Sequence, residues 1–85
     1  MENLYKTLKQ ADKEKRYYII DVVTEQKQKL RLYDMGFYEG SVVMPLYECW
    51  GGGTRVYVVK DTLIALRQKD AQTIFVKEMR KDDRE

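Results

Sequence analysis

The side chains able to do chemistry in this 85-residue chain are few. There is no histidine, which removes the usual general base, the Ser-His and Cys-His pairs, and imidazole metal ligation. Cys49 is the single cysteine, so it builds neither an internal disulfide nor a thiolate metal site. It reads as a small apolar residue at a strand end, with a reactive or dimer-forming thiol as the sharper alternative. Glu39 and Glu48 are the carboxylates that the fold would have to bring together to hold a hard cation. No two acids stand four apart on one helix, and no bound metal is expected. Gly51-Gly52-Gly53-Thr54 invites comparison with a phosphate-binding loop. It lacks the spaced second glycine and following lysine of that motif, and it leads into a strand instead of a helix N-terminus. It reads as a flexible hairpin loop, with no cofactor and no GTP hydrolysis by the chain itself. No catalytic pair remains, so no enzyme is expected.

What remains is chemistry of contact. Trp50 stands beside the three glycines with no alternating pattern to hide it. It is either a plug for the end of the fold or an exposed aromatic anchor, a residue type enriched among binding hot spots. Lys27, Lys29 and Arg31, with Tyr33 among them, form a basic stripe open to three readings: a solvated face, a protein-docking face or a phosphate-tracking face. The third is disfavoured by composition. Sixteen Lys and Arg face fourteen Asp and Glu, and a net charge of +2 does not demand nucleic acid or an acidic membrane.

The elements that must position these residues turn on Leu30 to Val43. Leu32 and Met35 lie three apart, along one helical face. Gly36 follows where helices end in the left-handed conformation, and Phe37 comes next, placed to fold back on the last turn as a core residue. Tyr38 sits at the turn and reads as surface. Gly40 supplies a second turn, and Ser41 opens an apolar strand.

In chain order, residues 1–15 read as a docking turn carrying Leu4 and Leu8, then a solvated charged linker at Asp12-Lys13-Glu14-Lys15. Residues 16–79 read as one domain. Arg16 to Thr24 is a strand with Tyr18, Ile20 and Val22 on one face. Glu25 to Met35 is the helix and Ser41 to Tyr47 the second strand. Pro45 belongs at an edge or a bulge, because it lacks an amide hydrogen. Thr54 to Lys60 and Thr62 to Arg67 pair through a tight turn at Lys60-Asp61. Gln68 to Thr73 is one helical turn, and Ile74 to Met79 the last strand. Residues 80–85 are a charged, apolar-free tail, expected to be disordered. The fold class is all-β: a small, partly open barrel of about five strands with one short α-helix. Met1 to Lys6 has no apolar core of a signal peptide, and the longest apolar stretch, Tyr17 to Val23, contains Asp21. A membrane-spanning helix needs about 20 residues, so a cytoplasmic location without membrane insertion is expected.

Arg31-Leu32-Tyr33-Asp34-Met35-Gly36-Phe37, then Gly40 and an apolar strand, resembles the signature of the FeoA family of ferrous iron transport proteins. Leu63-Ile64-Ala65-Leu66-Arg67, Asp70-Ala71 and Ile74-Phe75-Val76 resemble that family's closing strand, turn and last strand. Two departures stand out: charged residues replace the glycine-containing turn near the N-terminus, and Asp61 replaces a usual glycine. The resemblance implies that the barrel is SH3-like, and that the chain is a bacterial accessory protein of iron homeostasis that binds the cytosolic part of a FeoB-type GTPase transporter and modulates ferrous iron uptake. The surface expected to make that contact is Tyr38-Glu39-Gly40, the helix face at Lys27 and Arg31, and the loop Trp50-Gly51-Gly52-Gly53. The alternatives are an SH3-like regulatory domain for a peptide or ligand, related to those of iron-dependent repressors, and a single-strand nucleic-acid binder. A weak homo-oligomer is left open.

Overall fold

The computed structural model describes residues 5–80. Its elements are β1 (Tyr5–Thr7), a 3-10 turn (Leu8–Gln10), β2 (Tyr17–Val22), α1 (Gln26–Asp34), β3 (Val42–Glu48), β4 (Thr54–Val59), β5 (Thr62–Arg67), α2 (Gln68–Ala71) and β6 (Ile74–Glu78). All neighbouring strands are antiparallel, in the order β1-β6-β2-β3-β4-β5, which is the small SH3-like barrel expected. Fully buried Tyr17, Phe37, Tyr57, Leu8 and Ile19 fill its centre, with the Phe37 and Tyr57 rings edge to face at 6.3 Å.

The sixth strand is the difference from the five read in the sequence. Tyr5–Thr7 pair with β6, Tyr5 opposite Lys77 and Thr7 opposite Phe75. The Thr7 N–H then donates to Gln10 Oε1 at 2.9 Å, and Leu8 is wholly buried at the barrel end. The segment is therefore a strand and a plug where a loose docking turn was expected. Lys6, between Tyr5 and Thr7, breaks the apolar run that would have announced a strand. Leu4, and the tail from residue 81 onward, lie outside the described residues.

Strand β2 also corrects a face. Tyr17, Ile19 and Val22 are buried, not Tyr18, Ile20 and Val22 as one set. The register against β6 shifts between Ile19 and Asp21, and that bulge inverts the alternation so that Val22 turns inward. A second shift, between Pro45 and Tyr47 in β3, puts the proline beside a bulge, as its missing donor requires.

Helix α1 ends as its glycine dictates. Gly36 has φ +105°, its N–H donates to Tyr33 O at 2.9 Å, and the Phe37 N–H donates to Leu32 O at 2.9 Å. These paired bonds satisfy the last helical carbonyls, and Leu32 and Phe37, both fully buried, make the apolar contact that accompanies them. Met35, three residues after Leu32, stays 37% exposed because the helix turns its back before that position reaches the core. The buried Ser41 hydroxyl closes the corner by donating to Gly36 O at 2.7 Å, and the Gly40 N–H donates to Ile19 O at 2.8 Å.

Candidate docking site

The corner built by Gly36 and Gly40 carries a chain of aromatic and charged side chains. The Tyr33 hydroxyl donates to both carboxylate oxygens of Glu39, at 2.7 and 3.0 Å. The Tyr33 and Tyr38 rings meet edge to face at 6.3 Å. Lys29 lies over the Tyr33 ring at 6.0 Å, and Lys60, in the β4–β5 turn, lies over Tyr38 at 5.0 Å. The hydrogen bond from Tyr33 holds the Glu39 carboxyl below the usual glutamate range, and Lys29 adds to the effect. The same bond, then burial and the nearby negative charge, pushes the Tyr33 phenol up. Glu39 is thus a fixed anion on a corner flanked by two cations.

Of the residues singled out in the sequence, Tyr38 and Glu39 come together here, and Tyr38 is half-buried. Lys27 and Arg31 are exposed on α1, one turn apart. The members sequence reasoning missed are Tyr33 as the hub and Lys60, which arrives from another hairpin. The four-residue spacing of Lys29 and Tyr33 on a helix was the one local signal for their contact.

The glycine loop stands apart. Strand β4 runs from Thr54 to Val59, so Gly53 and Lys60 lie at opposite ends of it, roughly 20 Å apart by strand rise. The corner and Trp50-Gly51-Gly52-Gly53 are therefore two separate patches. The loop is closed by Cys49 N–H donating to Thr54 O at 2.8 Å and Gly52 N–H to Cys49 O at 3.1 Å, while Gly53 O accepts from Gln68 N–H at 2.9 Å. Trp50 is 103% exposed on this closed base, so the plug reading gives way to the exposed aromatic. Glu39 precedes β3 and Glu48 is its last residue, so the two lie at opposite ends of that strand and do not converge. Among the described residues no three acidic or cysteine side chains gather.

Away from the corner, sequence reasoning also missed Arg55, only 5% exposed in the barrel. Its guanidinium donates to Leu8 O at 2.7 Å and to the Tyr57 hydroxyl at 3.1 Å, and it lies 5.2 Å from the Tyr57 ring centre. Burial raises the Tyr57 phenol, although the arginine pulls the other way. Among the described residues no helix is long and apolar enough to cross a membrane.

The FeoA domain model matches residues 6–78. A crystal structure of an iron uptake regulatory protein (FeoA) superposes with a TM-score of 0.80 at 16% identity, over 88% of this chain and 99% of that one. The NMR structure of a FeoA-like protein from Clostridium acetobutylicum gives 0.81 at 19% identity, over 94% and 93%. The crystal structure of ScaR with bound Zn2+ gives 0.78 at 23% identity, over 93% of this chain but 39% of that one. At these identities the structural likenesses show a shared fold. No curated protein matches by sequence. The family match spans nearly the whole barrel, from β1 to the end of β6, and on it the chain belongs to the FeoA domain family.

Proposed function

We propose that this chain is a cytoplasmic accessory of bacterial ferrous iron uptake, one that docks on the cytosolic part of a FeoB-type transporter and biases its working cycle. The observation carrying this reading is Trp50. An indole left wholly in water on a closed glycine loop gains nothing for the fold, and burying it against a partner removes a large apolar area from water. The corner at Tyr38 and Glu39, with Lys60 over the ring, supplies a preorganised charged rim at the other end of β4. Lys27 and Arg31 extend it along α1. A docked partner shifts the transporter's equilibrium only by binding one nucleotide or conformational state more tightly than another.

The test is binding of the full chain to immobilised FeoB cytosolic domain without nucleotide, with GDP and with a GTP analogue. Unequal affinities support the proposal; no binding in any state ends it. The likeness to ScaR supports a second reading, a regulatory SH3-like domain acting in trans. Binding to a repressor's DNA-binding portion with none to FeoB would favour it.

A further inference from the structure

We infer that the free edge of β5 is a self-association surface, on which a second copy of the chain adds its own β5 antiparallel, centred on Ile64. The sheet has two edges, β1 and β5. β1 has three residues and carries Lys6 at its middle, which blunts that edge. β5 has six, Thr62 to Arg67, and no charge or proline before Arg67.

The hairpin geometry says which groups are free. Lys60 and Asp61 both have positive φ, +52° and +61°, the signature of a two-residue primed turn. Val59 and Thr62 then form the closing hydrogen-bonded pair, followed by Tyr57 with Ile64 and Arg55 with Leu66. Leu63 and Ala65 fall at the intervening positions, so their N–H and C=O groups point away from β4. Among the described residues these groups have no backbone partner.

The same two side chains lie on the outer face, Leu63 at 62% exposure. Cross-strand register aligns them into two apolar rows, Met44-Val58-Leu63 and Tyr47-Val56-Ala65. A two-fold axis at Ile64 sets Leu63 opposite Ala65 of the second copy, and Ala65 opposite its Leu63. Each row then runs on into the other row of the second copy, a self-complementary pattern. The ends match in charge: Arg67, 64% exposed at its side chain and 3.5 Å from its own Asp70, comes opposite Asp61 of the second copy. Registers displaced by two residues place Leu63 against Arg67 or against another Leu63, and lose both the row continuity and the charge pairing.

The experiment uses the full chain with Cys49→Ser. Sedimentation velocity from micromolar to millimolar concentration should show a monomer–dimer equilibrium, and Leu63→Lys should abolish it while circular dichroism stays unchanged. Mixing Leu63→Cys and Ala65→Cys chains should yield the mixed disulfide preferentially, because directly opposed Cα atoms about 5.5 Å apart suit that bond. Each variant alone places its cysteines diagonally and should cross-link poorly. A monomer at every concentration overturns the inference, as does a dimer that survives Leu63→Lys or shows no preference for the mixed cross-link. Protection of the Leu63 and Ala65 amides from exchange only when FeoB cytosolic domain is added also overturns it, assigning the edge to that partner. None of these outcomes bears on whether Trp50 docks.

Discussion

The Arg55 guanidinium donates to the carbonyl of Leu8 at 2.7 Å, joining strand β4 to the turn that plugs the barrel. The contact spans 47 residues of sequence, and it holds the N-terminal segment against the core more specifically than apolar contact can. Arg55→Ala removes a charged donor, takes away the partner of the buried Tyr57 hydroxyl and leaves the Leu8 carbonyl with the Ala11 N–H alone, at 3.1 Å. The expected loss is about 3 kcal/mol, a large share of the roughly 5 kcal/mol a domain this small holds. Urea unfolding checks it: the midpoint should fall at an unchanged slope. Amide exchange in β1 should rise before it rises elsewhere.

Two glycines at one corner give a second, comparative prediction. Gly36 and Gly40 both have positive φ, +105° and +92°, so alanine at either costs about 1–2 kcal/mol of backbone strain. A methyl at Gly40 meets nothing within 4 Å, whereas at Gly36 it meets Lys60 Cγ at 3.1 Å and Val59 Cγ2 at 3.4 Å. The Val59 distance is ordinary contact, so the misfit falls on the Lys60 stem, which must shift and so disturbs the ammonium over the Tyr38 ring. Gly36→Ala should therefore lower the melting temperature clearly more than Gly40→Ala. Equal losses would show that the corner repacks freely.

The helix stop and the proline bulge were legible in the sequence, because each is set by a residue's own backbone preference; the tight turn at Lys60-Asp61 was legible from the two flanking strands, while positive φ at Lys60 was not. Glycine at a left-handed position or a proline without an amide hydrogen announces itself locally. Strand β1 was not legible, since three residues with Lys6 at the centre acquire strand character only from β6 beside them. The bulge after Ile19 left no residue signature, so the face assignment of Val22 came out inverted. Arg55 was hidden by the general exposure of charged side chains, and its distant partner, the Leu8 carbonyl, is a backbone group that carries no sequence identity. The candidate site divides along the same line. Tyr38, Glu39 and Trp50 could be picked by type, but Lys60 over Tyr38 is a contact between distant hairpins, and the length of β4 that separates the two patches is visible only in the fold.

The Tyr33–Glu39 hydrogen bond makes stability depend on pH at both ends. The Glu39 carboxyl is lowered, so its contribution is present above the unfolded glutamate value and is lost as pH falls through the lower folded one. The Tyr33 phenol is raised, so its contribution is whole below the unfolded value of about 10 and is lost as pH rises through the folded one. Tyr33→Phe should flatten both limbs of a plot of urea midpoint against pH. Carbon NMR of the Glu39 carboxyl should move toward the ordinary glutamate range in the same variant. An unchanged Glu39 titration would falsify the assignment of the shift to this bond.

Trp50 allows folding and the proposed docking to be tested apart on one side chain. Because the indole is fully in water, its fluorescence should be red-shifted and freely quenched by acrylamide in the isolated protein. Trp50→Ala should leave the unfolding free energy within about 0.5 kcal/mol of the parent, as surface changes do. The same change should weaken binding to FeoB cytosolic domain by at least about thirtyfold if the indole is an anchor, since such residues carry 2 kcal/mol or more. Blue-shifted, quench-protected emission on adding that domain would place the indole in the contact directly. Tyr38→Ala supplies the contrast: it lies at the far end of β4, so a loss confined to Trp50→Ala locates docking at the loop, and a loss confined to Tyr38→Ala moves it to the corner. With the two patches at opposite ends of β4, the two variants test separately which of them makes the proposed contact.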